Sequence, residues 1–260
     1  MKIKDHIPNC ITLLNLLCGC LAIVTAFNGS MVYLFHYNLP IAPIFIFIGG
    51  FFDYLDGTLA HVLDAKSDLG EQLDSLADIV TFGVAPAMIV YQLLHEQALI
   101  ANYPFIVNNI TYLSCVPFLI AIFSAVRLAK FNIDERQTIS FLGLPTPANA
   151  FFWASIPLIF SLINPNTIPL GIVENIKHLV YFSLRNPYEI LILSVIMSLF
   201  LVVEIPLFSL KFKSLNWADN KIRYLFLITS VLLILFFTIF ALPIIIFLYV
   251  IFSIVNNIFL

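Results

Sequence analysis

A helix that crosses the hydrocarbon of a bilayer needs about 20 consecutive, mostly apolar residues. Stretches of that length recur throughout this chain, at 10–28, 38–60, 76–95, 111–131, 148–164, 187–204, 221–239 and 241–258. A backbone surrounded by lipid must satisfy its own hydrogen bonds, so each run is expected to fold as a helix. The fold class expected is therefore all-α, a polytopic membrane helix bundle of about eight transmembrane helices. With 61% of 260 residues hydrophobic and 10% charged, an ordinary soluble domain is excluded. The 26 Phe residues suit a lipid-facing surface.

Basic residues orient such a bundle, because cytoplasmic loops retain Lys and Arg. With the N-terminus inside, Lys2, Lys4, Lys66, Arg127, Lys130, Arg136, Lys211, Lys213, Lys221 and Arg223 fall on the cytoplasmic side, and only Lys177 and Arg185 fall outside. Moving one span would invert every later loop and lose this bias. Both termini are expected in the cytoplasm. The opening segment MKIKDHIPNCITLLNLLCGCLAIVTAF has the basic start and apolar run of a secretory signal. It is read instead as a retained span, because cleavage would remove Asn9, Thr12 and Asn15, a polar row on one helix face. A lipoprotein site at Cys20 is the weaker reading. Cys10, Cys18, Cys20 and Cys115 sit in apolar runs without metal-ligand spacing and are expected to be small core residues.

No repeat, low-complexity tract or long polar stretch divides the chain, so one domain over 1–260 is expected. In the most polar external segment, 164–187, the piece IVENIKHLVYF is amphipathic and suited to lying flat at the interface. The basic cluster of VEIPLFSLKFKSLNW suits anchoring at an anionic leaflet. His36, His95 and His178 are expected on the external surface.

Against this background, FFDYLDGTLAHVLDAKSDLGEQLDSLADIVTFGVAPA concentrates six Asp residues where charge is costly. Asp53 and Asp56 are three apart and share a helix face, with Cβ atoms about 5–6 Å apart. Asp74 and Asp78 are four apart at the start of the next span. An antiparallel hairpin turning around Asp64 to Gly70 would converge all four carboxylates at the cytoplasmic end. Their mutual repulsion calls for hard divalent cations, Mg²⁺ or Mn²⁺, which take oxygen ligands and commonly engage substrate phosphates. Gly57, Ala60 and Gly70 leave room beside them for a nucleotide or diphosphate, although small residues also pack membrane helices.

Asp53, Asp56, Gly57, Ala60, Gly70, Asp74 and Asp78 resemble, at matching spacing, the signature of the CDP-alcohol phosphatidyltransferase family. His61 stands where that family usually has Arg, which replaces a permanent charge with one only partly present at neutral pH. The segments PNCITLLNLLCG, LDSLADIVTFGVAPA, RLAKFN and GLPTPANA are similar to the phosphatidylserine synthase branch of the family. Ser75 and Ile79 differ from the Pro and Lys typical of the phosphatidylglycerophosphate synthase branch.

The resemblance implies an active site at the cytoplasmic membrane boundary, a catalytic core over about 1–164, and additional helices over about 187–258. It implies two metal ions held by Asp53, Asp56 and Asp74 and touched by Asp78. Asp78 would be the general base that activates the hydroxyl of L-serine towards CDP-diacylglycerol. Asn9, Thr12, Asn15, Gly57, Ala60, His61 and Gly70 would line the CDP-diacylglycerol site. Arg127, with Lys130 assisting, is a candidate to bind the serine carboxylate, or else a positive-inside anchor. A homodimer in the bacterial inner membrane, surrounded by membrane lipids and with no nucleic-acid partner, is the implied setting. Two alternatives are a sister transferase using glycerol 3-phosphate or inositol phosphate, and an ion-coupled transporter. The second fits less well, because the acids cluster at one boundary and no inverted repeat is visible.

Overall fold

The computed structural model describes residues 6–27, 33–34, 39–101, 112–133, 141–163, 169, 171–184, 186–208 and 216–259. Ten α-helices follow one another among these residues: α1 (Ile7–Phe27), α2 (Ile41–Val62), α3 (Asp68–Asp78), α4 (Ala85–Ala101), α5 (Phe118–Ile133), α6 (Thr146–Leu162), α7 (Ile172–Leu184), α8 (Pro187–Val202), α9 (Trp217–Phe237) and α10 (Ala241–Phe259). A π-helical turn, Ile79–Val84, joins α3 to α4. Two antiparallel ladders of two-residue strands pair Tyr33–Leu34 (β1) with Leu39–Pro40 (β2), and Phe141–Leu142 (β3) with Pro206–Leu207 (β4). The architecture is an all-α bundle.

Among the described residues, five helical segments are long and apolar enough to cross a membrane, or six if α7 and α8, bent by 87°, count as one span. Each of the eight expected runs lies on a helix, and the count is lower because two of those helices are short and two others are joined into one segment. The run 148–164 lies on a helix of 17 residues, and the run 187–204 lies on one of 16. The last two runs merge into one 38-residue apolar segment, Asn220–Asn257. At 1.5 Å per residue a straight helix of that length would reach about 57 Å, nearly twice the hydrocarbon thickness. It instead doubles back at Thr238, whose φ is +54°. The Phe226 ring consequently lies 5.7 Å from Tyr249 and 6.0 Å from Phe252.

Apolar and small side chains fix the helices that carry the polar residues. Phe47 of α2 stacks on Phe151 of α6 at 5.1 Å, and Phe82 of the π-turn meets that ring edge-on. A Cβ on Gly50 would stand 2.5 Å from Phe151, so this glycine sets the approach of α2 to α6. Phe152 on the next face of α6 meets Phe247 of α10 at 5.6 Å. Gly143, with φ +76°, packs against the last turn of α8, where any Cβ would lie 2.7 Å from the Leu201 carbonyl oxygen. The Leu144 amide then donates to the Phe200 carbonyl at 2.8 Å, fixing the entry to α6. One hydrophobic core, including Ile46, Phe82, Trp153, Ile190, Met197 and Val250, joins α1 to α10.

Among the cysteines only Cys18 is buried; Cys10, Cys20 and Cys115 face outward, which corrects their assignment to the core. Of the basic residues used for orientation, Lys2, Lys4, Arg136, Arg185, Lys211 and Lys213 lie outside the described residues, as does His36. The amphipathic piece IVENIKHLVYF lies on α7, with Lys177 over the Phe240 ring at 5.6 Å. His95 stacks on Tyr91, and His178 lies beside Phe182.

Candidate active site

The α2–α3 hairpin forms as the spacing predicts, and its turn shows why. Helix α2 ends with Asp64 in the left-handed region (φ +51°), the Asp64 amide donating to the His61 carbonyl at 3.3 Å and the Ala65 amide to the Ala60 carbonyl at 2.9 Å. That pair of bonds closes a helix whose last carbonyls would otherwise lack donors. Ser67 then caps α3, its hydroxyl accepting from the Gly70 amide at 3.1 Å, with Asp68 and Glu71 in the first turn.

The hairpin brings Asp53, Asp56 and Asp74 together, with one carboxylate oxygen from each inside a group no wider than 4.8 Å. Asp78 follows Asp74 by one turn on the same face of α3 and so adjoins this group. Asp56 and Asp78 are buried, while Asp53 and Asp74 are half-buried. Asp56 Oδ2 and Asp74 Oδ1 are buried with no hydrogen-bond partner. Hard oxygen donors in mutual repulsion, two of them unsatisfied, fit a divalent cation. This cluster could hold one.

Beside it lies a cleft of about 360 Å³ lined by residues of α1, α2, the turn and α3. Asn9, Thr12, Asp56, Gly57, Ala60, Gly70 and Asp74 face it, as the sequence suggests. The reasons for the two glycines differ. A Cβ on Gly70 would approach Asn9 Oδ1 to 3.0 Å, so Gly70 lets α3 close on α1. Around Gly57 no atom lies within 4 Å of such a Cβ. Packing between helices therefore does not explain Gly57, which borders open space at the cleft.

Three expected site residues are placed elsewhere. His61 is exposed and does not line the cleft. Asn15 is fully buried behind the cluster, donating from Nδ2 to Asp78 Oδ1 at 3.1 Å. Lys130 is half-exposed and pairs with Glu204 at 3.8 Å. Arg127 itself is buried at 7% exposure, its Nε unpartnered, within electrostatic reach of Asp78 and Tyr249.

Sequence reasoning misses several polar residues. Lys66, which the sequence presents only as an orienting charge, lines the cleft. Asn149 is fully buried with both amide atoms unpartnered, and Thr146 and Trp153 also carry buried unpartnered atoms on α6. Thr81, fully buried, donates to the Asn15 carbonyl at 3.0 Å. The signal that could have found them is a polar side chain inside an apolar helix, which is costly to bury without use.

Residues 5–183 match the family model described as CDP-alcohol phosphatidyltransferase. The chain is 34% identical over 186 residues to the CDP-diacylglycerol--serine O-phosphatidyltransferase of Bacillus subtilis, covering 71% of this chain and 91% of that one. It is 31% identical over 219 residues to the enzyme of the same name from Helicobacter pylori, covering 78% and 87% respectively. The Methanocaldococcus jannaschii protein of that name is 31% identical over 210 residues, with 78% and 87% covered. The matched region contains every residue of the acidic cluster and its cleft, and the chain belongs to the CDP-alcohol phosphatidyltransferase family.

Proposed function

We propose that this protein is a multi-pass membrane enzyme that transfers the phosphatidyl group of CDP-diacylglycerol to the hydroxyl of L-serine, giving phosphatidylserine and CMP. The observation that carries the reading is the convergence of Asp53, Asp56 and Asp74 within 4.8 Å beside a cleft with open space at Gly57. The names of the relatives favour serine over glycerol 3-phosphate or inositol phosphate as acceptor.

In this reading Asp53, Asp56 and Asp74, with Asp78 at their edge, hold two ions, Mg²⁺ or Mn²⁺. Bound there, such ions supply charge stabilisation to the diphosphate and to the phosphate that leaves. Asn9, Thr12, Gly57, Ala60 and Gly70 receive the nucleotide end of the lipid, and Lys66 faces its phosphates. Exposed His61 makes at most a rim contact. Asp78 takes the proton from the serine hydroxyl. The serine oxygen bonds to the phosphorus that carries diacylglycerol, the bond from that phosphorus to CMP breaks, and the electron pair leaves with CMP. Buried Arg127 binds the serine carboxylate; Lys130 can assist only by leaving Glu204. Burial of these groups strengthens each contact relative to water, and their fixed helices align nucleophile and leaving group.

The same reading gives a single domain with a catalytic core over about 1–164, completed by helices over about 187–258. The site lies at the cytoplasmic boundary of a bacterial inner membrane, with both termini in the cytoplasm, in a homodimer. Cytidine and serine then arrive from water and acyl chains from the bilayer.

The test is CMP release from CDP-diacylglycerol by the purified protein with a divalent metal. L-serine or glycerol 3-phosphate serves as acceptor, and Asp78→Asn is the control. Serine-dependent release, reduced about 10²- to 10⁴-fold in the control, is expected for loss of a general base. Release with glycerol 3-phosphate alone would retain the family chemistry and overturn the acceptor.

A further inference from the structure

Threonine in a membrane helix ordinarily returns its hydroxyl proton to its own backbone, and several threonines here do so. Thr12, Thr25, Thr58 and Thr229 each donate to the carbonyl four residues earlier. Thr81 behaves differently. Its hydroxyl crosses to another helix and donates to the Asn15 carbonyl of α1 at 3.0 Å.

The surrounding structure is shaped to permit that crossing. Thr81 lies in the π-helical turn Ile79–Val84, which begins immediately after Asp78. A π-turn carries an extra residue and rotates the residues beyond it by about 100° relative to an α-helical continuation, and such turns collect at functional sites. Two glycines receive the side chain. A Cβ on Gly19 would stand 2.5 Å from the Thr81 hydroxyl oxygen, and one on Gly49 would stand 2.6 Å from its methyl carbon. The methyl is thus seated against α2 while the hydroxyl is seated against α1. Asn15, whose carbonyl accepts from Thr81, donates its side-chain amide to Asp78 at 3.1 Å.

We propose that Thr81 is a positioning residue for Asp78, its hydroxyl fixing the turn of α1 from which the Asn15 amide holds the Asp78 carboxylate at the acidic cluster. The chain of bonds runs from the π-turn to α1 and back to the last residue of α3, closing a loop around the site. Thr81 touches neither the cleft nor the cluster, so it acts through Asn15. Because Asp78 is held by a neutral amide on one side and faces other acids on the other, a small rotation of Asn15 would let its carboxylate swing out of line. Misplacement of about 1 Å at a reacting group can cost on the order of a hundredfold in rate. The proposal rests on Asp78 being the base in the transferase reaction.

The experiment uses the full chain in lipid–detergent micelles and compares wild type, Asp78→Asn, Thr81→Val, Thr81→Ala, Thr81→Ser, Asn15→Ala and the Thr81→Val/Asn15→Ala double variant. Serine-dependent CMP release and thermal unfolding are measured for each. The expected result is a kcat loss of roughly 10- to 100-fold in Thr81→Val and Thr81→Ala, with KM for both substrates within about threefold. Thr81→Ser, which retains the donor, recovers most of the rate. The double variant loses little beyond Asn15→Ala alone, because residues acting through one contact are non-additive.

Wild-type kcat in both hydroxyl-free variants would overturn the proposal. So would equal loss in Thr81→Ser and Thr81→Val accompanied by a lowered melting temperature, which would mark simple packing, or additive losses in the double variant. Thr81→Ala relieves the glycine contacts and remains informative if the valine variant fails to fold. Absence of serine-dependent release in the wild type would instead defeat the transferase reading, and an active Asp78→Asn would remove the role of Asp78 itself.

Discussion

Two helical hairpins of this chain have the same outline and opposite interiors. The α2–α3 hairpin ends in a capped polar turn, converges Asp53, Asp56 and Asp74 with Asp78 one turn on, and leaves open space around Gly57. The α9–α10 hairpin turns at Thr238 and closes on itself through the rings of Phe226, Tyr249 and Phe252. One leaves acidic oxygens buried and unpartnered; the other fills its seam with aromatic contacts. Stability alone favours the second arrangement, since an unsatisfied buried polar group costs about 1–3 kcal/mol. In the proposed reading the first hairpin carries that cost because ions and substrate would partner those oxygens.

If that contrast is correct, the largest effect should come from taking the ligand away from the first hairpin. Chelation of divalent metal, or Asp56→Ala, should remove several kcal/mol of transition-state stabilisation, at least about a thousandfold in kcat/KM. Thermal unfolding in the absence of metal should be little affected, or slightly raised in Asp56→Ala as a repelling charge is removed. An Asp56→Ala enzyme within about tenfold of wild type in kcat/KM would break the comparison outright.

A smaller and sharper effect separates two glycines on the same helix. Gly57→Val adds bulk to open space and should leave the melting temperature within about 2 °C while raising KM for CDP-diacylglycerol by roughly tenfold or more. Gly50→Val drives side-chain atoms into the Phe151 ring, already 2.5 Å from where its Cβ would stand. That substitution should cost about 1–3 kcal/mol of stability before it changes KM. Reversal of the two outcomes would mean that the space at Gly57 is not a substrate path.

The parts of the molecule legible in the sequence are those that depend on local spacing. Asp residues three and four apart share helix faces, and a polar turn between two apolar runs forms a hairpin, so the acidic cluster can be read from residue order alone. Gly57 and Gly70 are alike as small residues, but their different reasons depend on α1, which approaches one and not the other. Apolar run length locates α9 and α10 as separate helices but not the turn at Thr238 that folds one back on the other. Asn15 reads as a polar residue facing the site; that its amide meets Asp78 instead of the cleft is a contact between α1 and α3 for which residue order gives no periodic signal. Lys66 is hidden among charges that every cytoplasmic loop is expected to carry.

The smallest expected effect concerns a link between the second hairpin and the site. Tyr249 of α10 donates from its hydroxyl to the Phe208 carbonyl at 2.9 Å and lies within electrostatic reach of Arg127. If the second hairpin serves only as support, Tyr249→Phe should cost about 1 kcal/mol of stability, the net value of one hydrogen bond, and change KM for serine by less than about threefold. Arg127→Ala should raise that KM by roughly 10- to 100-fold, since a charge-assisted bond to a carboxylate contributes about 1.5–3 kcal/mol. A Tyr249→Phe enzyme as impaired towards serine as Arg127→Ala would place α10 in the acceptor site. The division would then no longer separate a working hairpin from a supporting one: the working site would extend from α2 to α10, with Arg127 as its bridge.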